Sequence, residues 1–130
     1  MNKIIYIIAG ALIAFILSCL LYAGSVYAFE LSKEEVNRLA DSIYLAEGGN
    51  KTNYPYGVKS IKCKNGENGG CRVVTIRSIK NNIKRYNKQL SGKAGDIKGF
   101  IIHMGKRWCP PSAHKLNVHW VKNVHYYMNK

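Results

Sequence analysis

Ile4 to Ala23 runs for twenty residues without a charged side chain, following Lys3. Gly24-Ser25-Val26-Tyr27-Ala28 comes next, with small residues at Val26 and Ala28 where a signal peptidase reads them. A basic end, an apolar middle and a small-x-small exit is the layout of an export signal. The middle is also long enough for a membrane span, which needs about 20 residues. Residues 1–28 are therefore expected to be a signal peptide or an N-terminal membrane anchor, with the working domain over 29–130. Beyond residue 28 the apolar pattern changes period. Val36, Leu39, Ala40 and Ile43 recur at helical spacing. Ser32 and Glu35 stand three apart as a capping box, Leu31 and Val36 as a hydrophobic staple, and Gly48-Gly49 as a stop.

Three more helices follow from the same periodicity. Arg72 to Leu90 places Ile76, Ile79, Ile83, Tyr86 and Leu90 on one stripe, with Lys80, Lys84, Arg85 and Lys88 mostly off it. Asp96 caps a short helix whose buried face is Ile97, Phe100, Ile101 and Met104. Gly105 to His114 reads as a basic, proline-containing turn. A last helix from Asn117 presents Trp120, Val121, Val124, Tyr127 and Met128, with Leu116 and Val121 as a second staple. Asn50 to Gly70 is rich in Gly, Asn, Lys and Tyr and reads as loop, with a short strand such as Tyr56–Ser60. The expected fold is mainly α, one small helical domain with a short irregular or β insertion after its first helix.

Charge narrows the partners. Of the 20 Lys and Arg only Lys3 lies in the first 28 residues, whereas all 7 acids lie beyond them, so the rest carries +12. An excess of that size calls for an anionic partner. Export argues against nucleic acid and for acidic cell-wall polymer or a lipid surface. The chain is thus expected outside the cytoplasm, in the periplasm or anchored to the cytoplasmic membrane facing outward through residues 4–23. Cys19, inside the apolar run, makes a poor lipoprotein site because apolar residues continue after it. Cys63, Cys71 and Cys109 are disulfide candidates in an oxidising compartment. Cys71–Cys109 closes the longer loop and is the favoured pair, with Cys63–Cys71 the alternative. The cysteines lack the tight pairing of zinc sites, and no metal is expected.

Glu47 carries the candidate chemistry. It follows Ile43 by four residues, Ala40 by seven and Val36 by eleven, so it points to the apolar side of its helix. It also sits in the last turn, where the helix dipole disfavours a negative charge. Burial and dipole together should raise its pKa, as a general acid requires. Other carboxylates are scarce: Asp96 caps a helix, Glu34 and Glu35 occupy a first turn, Asp41 is solvated, and Glu67 reaches Glu47 only if its loop folds back. A mechanism with one carboxyl fits that inventory better than a two-carboxylate one. Cys109 with His114 or His119 is the weaker, cysteine-nucleophile alternative.

Ala46-Glu47-Gly48-Gly49 followed by Tyr54-Pro55-Tyr56-Gly57-Val58 resembles the catalytic opening of the lysozyme-like superfamily. Trp120-Val121-Lys122-Asn123-Val124-His125-Tyr126-Tyr127 is similar to the last helix of soluble-type lytic transglycosylase domains. The whole stretch from Ile43 to Tyr127, with Arg107-Trp108-Cys109-Pro110-Pro111, looks like small bacterial and phage-associated proteins. The Ala-Tyr-Asn-Ala-Gly and Gly-Leu-Met-Gln segments of many such enzymes are absent; Ile102-His103-Met104-Gly105 stands in the region of the first. The resemblance implies a peptidoglycan lytic transglycosylase or muramidase that needs no cofactor. Glu47 would be its acid and base, with Tyr56, Gly57 and Tyr126 lining the substrate cleft and Trp108 or Trp120 able to stack on sugar rings. A non-catalytic basic domain that binds acidic polymer, a membrane surface or a secretion-apparatus partner is the alternative expectation.

Overall fold

The computed structural model describes residues 2–23, 28–59, 68–110 and 112–130. Five α-helices follow in order: α1 (Asn2–Ala23), α2 (Lys33–Ala46), α3 (Asn68–Leu90), α4 (Ile97–Trp108) and α5 (Trp120–Met128). Short 3-10 turns lie at Gly49–Lys51 and Lys115–His119. The fold is mainly α, and the described residues contain no strand.

The side chains described on α1, at positions 6–8 and 10–19, are all exposed, among them Ile7, Leu12, Phe15 and Leu17. Among the described residues no helix is long and apolar enough to cross a membrane. Among those residues, too, α1 packs on no other helix. The core lies in α2 to α5, the segment leading into them and Tyr56 of the loop after α2.

That segment is fastened at Phe29. Its backbone N–H donates to Asn87 Oδ1 at 2.8 Å and its carbonyl accepts from Asn87 Nδ2 at 2.9 Å. The Phe29 ring is buried against Tyr86 and Phe100, with centroids 5.3 and 5.1 Å away. Three residues later Ser32 caps α2 as its pattern requires. Ser32 Oγ accepts from Glu35 N–H at 3.1 Å, and Glu35 Oε2 accepts from Ser32 N–H at 2.7 Å. These bonds hold the Glu35 carboxyl below its ordinary pKa, the Ser32 backbone N–H contributing most.

α2 packs chiefly along α5 and then on α3, and α4 bridges α3 and α5. Leu39, Ala40 and Ile43 of α2 are fully buried, as are Ile79, Phe100, Ile101, Met104 and Val124. Along α3 the innermost positions are Cys71, Thr75, Ile79, Asn82 and Tyr86. The expected stripe is rotated by two polar residues: Ile76, Ile83 and Leu90 flank it and are partly buried. Asn82 Nδ2 donates back to the Ser78 carbonyl at 2.9 Å, which lets its side chain lie inside the bundle.

Three expectations are corrected. The chain from Gly105 does not turn: α4 continues to Trp108. Gly105 faces α5, where an added Cβ would lie 2.8 Å from Val121 Cγ2 and 3.2 Å from the Trp120 ring. It is a close-packing residue and not a breaker. Leu116 forms no staple, being exposed in the 3-10 turn that precedes α5. Tyr56 to Lys59 forms no strand, because Gly57 N–H bonds to the Tyr54 carbonyl at 2.8 Å and Gly57 adopts φ +71°. Ser60, like Cys63 and Glu67, lies outside the described residues.

Candidate active site

α2 ends at Glu47, where the chain reverses. Gly48 takes φ +94° and Gly49 φ +54°, both in the left-handed region that favours glycine. The Glu47 N–H still bonds to the Ile43 carbonyl at 2.9 Å, so the residue keeps the register of the buried face. Its carboxyl therefore turns inward, half-buried, rather than out past a frayed end. Across the bundle, Trp120 at the start of α5 donates its indole N–H to Glu47 Oε1 at 2.7 Å. Gly57 closes the other side: a Cβ there would sit 2.6 Å from both Cδ and Oε1 of Glu47. The carboxyl is held between an indole and a bare backbone.

Burial raises the Glu47 pKa above the ordinary carboxyl value. The Trp120 hydrogen bond, the Lys59 ammonium and the Trp108 indole pull in the opposite direction without cancelling it. The helix C-terminus adds a further penalty on the anion. The result is a carboxyl that keeps its proton to higher pH than a solvated glutamate, while one oxygen is fixed in space.

Two cavities meet at Glu47, sharing Cys109 and Asn117 as well. The larger, about 580 Å³, runs past Tyr54, Gly57, Lys59, Trp108 and His114. The smaller, about 340 Å³, is bounded by Ala46, Leu116, His119, Trp120 and Asn123. Together they form a groove passing over the carboxyl. Among the described residues no second carboxylate lines either arm.

The sequence-predicted residues are distributed unevenly around this groove. Gly57 lines it, against the carboxyl itself. Tyr56 is buried behind it, its ring 5.2 Å from that of Tyr44 and its carbonyl accepting from Trp108 Nε1 at 3.2 Å. Tyr56 also interacts with Arg72, whose guanidinium is held mainly by Asp41 and has its pKa raised accordingly. Tyr126 lies on the outer side of α5, exposed and packed edge-on against Tyr127, and lines neither cavity. Trp120 is buried and serves as a hydrogen-bond donor, which leaves the half-buried Trp108 as the indole along the larger arm.

The cysteines pair differently from the favoured arrangement. Cys71 is fully buried and disulfide-bonded, whereas Cys109 carries a free thiol, so the Cys71–Cys109 bridge is not formed. Cys109 instead lines both arms. Burial raises its pKa, the Glu47 charge adds to that, and Lys59 offsets part of it. A thiol kept protonated is a poor nucleophile, even with His114 and His119 along the same groove.

Sequence periodicity located Glu47 but missed Trp120 as its partner. A signal for it existed: a tryptophan on a buried stripe needs an acceptor for its N–H. Lys59 and Asn117 carried no such signal, since both come from turns. Compared with protein-family models, with curated proteins and with solved structures, the chain matches none.

Proposed function

We propose that the chain cleaves peptidoglycan glycan strands by a lytic transglycosylase or muramidase mechanism, with Glu47 as the acid and then the base. The observation that carries this reading is the inward-turned Glu47 carboxyl, pinned by Trp120 at the junction of two cavities. Glu47 gives its proton to the glycosidic oxygen as the bond from that oxygen to the anomeric carbon breaks. The resulting carboxylate then takes a proton from the attacking hydroxyl. In the transglycosylase version that hydroxyl is the sugar's own 6-hydroxyl, which closes a 1,6-anhydro ring; in the muramidase version it is water. The absence of a second carboxylate along the groove, among the described residues, favours the intramolecular route.

The setting is proposed with the reaction. Export through residues 1–28, and a tether if residues 4–23 stay in the membrane, would put a basic domain beside an acidic polymer. A lysozyme-like arrangement agrees with α5 lying along α2 and closing over its end. Digestion of purified peptidoglycan by the wild-type chain and by Glu47→Gln, with muropeptides separated and weighed, tests the reading. Anhydro-ended products that vanish with the substitution support it. Cleavage that survives the substitution removes Glu47 from the mechanism. Salt-sensitive binding without products supports the non-catalytic alternative, for which the +13 net charge of the whole chain speaks.

A further inference from the structure

The two arms of the groove differ in charge. Among the described residues Lys59 is the sole Lys or Arg that lines either arm, although the chain carries 20 of them. Its ammonium is near enough to Glu47 and Cys109 to act on both electrostatically. His114 shares that arm. Its Nδ1 accepts the Leu116 N–H at 3.2 Å, so the ring hydrogen sits on Nε2 and leaves the ring a donor. Asn117, between the arms, spends one amide hydrogen on the Pro110 carbonyl at 2.9 Å. The smaller arm offers His119, Asn123 and the Leu116 side chain, with no Lys or Arg.

We propose that Lys59 and His114 form an anion-recognising subsite for a carboxylate-bearing sugar, with an uncharged sugar in the smaller arm. The proposal rests on the glycan-cleaving reading and deepens it. An ammonium and an N–H donor lining the same arm can serve the two oxygens of a monoanionic carboxylate. In a strand where acidic and neutral sugars alternate, this pairing sets the register. It fixes which of two otherwise similar linkages crosses Glu47.

The test compares two polymers: glycan strands with free carboxyl groups and the same strands with those groups converted to methylamides. Binding is measured with the full-length Glu47→Gln chain, so that turnover does not intrude. The expected result is about fivefold tighter binding of the free-carboxyl strands, near the upper end for an exposed ion pair. Adding Lys59→Gln should bring the ratio close to one, and Lys59→Arg should keep it. Lys98→Gln, which removes an exposed lysine outside the groove, should leave it unchanged. Equal losses with Lys59→Gln and Lys98→Gln, or no preference at the start, overturn the subsite, because net charge alone then accounts for binding. The unsubstituted chain, given the same strands, reports on cleavage separately. A Lys59-dependent preference without products sinks the glycan-cleaving reading and leaves the subsite standing; products without that preference do the reverse.

Discussion

The two ends of the α2–α5 bundle are built on opposite principles. At the Phe29 end, aromatic rings of Phe29, Tyr86 and Phe100 fill the space between α3, α4 and the entering chain. A capping box finishes the neighbouring helix there, and Asn87 satisfies both backbone groups of Phe29. At the Glu47 end, a carboxyl is half-buried at the wrong pole of a helix dipole, three glycines hold left-handed backbone, and a groove replaces packing. One end holds the fold together; the other spends part of that stability on a shaped site. A domain of about 100 residues commonly has only about 5–15 kcal/mol in hand, so the division limits how much unfavourable structure the site can contain.

Substitutions that exchange the two roles should separate them. Phe100→Ala, in the packed end, should cost about 3–5 kcal/mol and lower the thermal midpoint without altering turnover per folded molecule. Calorimetry beside an active-fraction assay checks both parts. Glu47→Gln should do the reverse, cutting the proposed glycan cleavage by about 10²–10⁴-fold. It should also raise the midpoint at pH 7. The sign follows from linkage: burial raises the folded pKa of Glu47, so below the ordinary carboxyl range both folded and unfolded states are protonated and burial of charge costs nothing. As pH rises the unfolded chain ionises first, and the folded state carries the full penalty above its own pKa. The stability gain of the glutamine chain should therefore fade below about pH 4. A gain of equal size at pH 3 and pH 7 would contradict the buried-charge account.

Gly57→Ala tests whether backbone geometry belongs to the site. Its φ of +71° and the 2.6 Å approach to Glu47 predict a cost of about 1–3 kcal/mol. Activity should fall further than stability does, because the methyl group must displace the carboxyl. Retained activity with only a lowered midpoint would make Gly57 a turn residue alone. Ser32→Ala has the smallest expected effect, about 1 kcal/mol by denaturant titration with unchanged turnover.

The packed end was also the more legible in sequence. Capping, the apolar face of α2 and the buried face of α4 follow from local spacing, and all three formed as expected. Thr75 and Asn82 escaped because a hydrophobic stripe assigns polar residues to the outside, whereas α3 buries both. The turn expected from Gly105 begins only after Trp108, because Gly105 packs against Trp120 and Val121, supplied by a different helix. At the site, helical register alone was enough to turn Glu47 inward. Its partners were not legible, since Trp120 lies 73 residues away and Gly57 approaches through a turn. Periodicity describes the face of one element, and the groove is made where several elements end.

The Asn87 clamp on Phe29 has a mechanical meaning. Two hydrogen bonds and a buried ring tie Phe29 to α3 and α4, so a pull arriving from the N-terminal side is taken up by those helices before it reaches α2. Asn87→Ala would let that anchorage yield at a lower force while leaving the Glu47–Trp120 contact, at the opposite end of the bundle, in place.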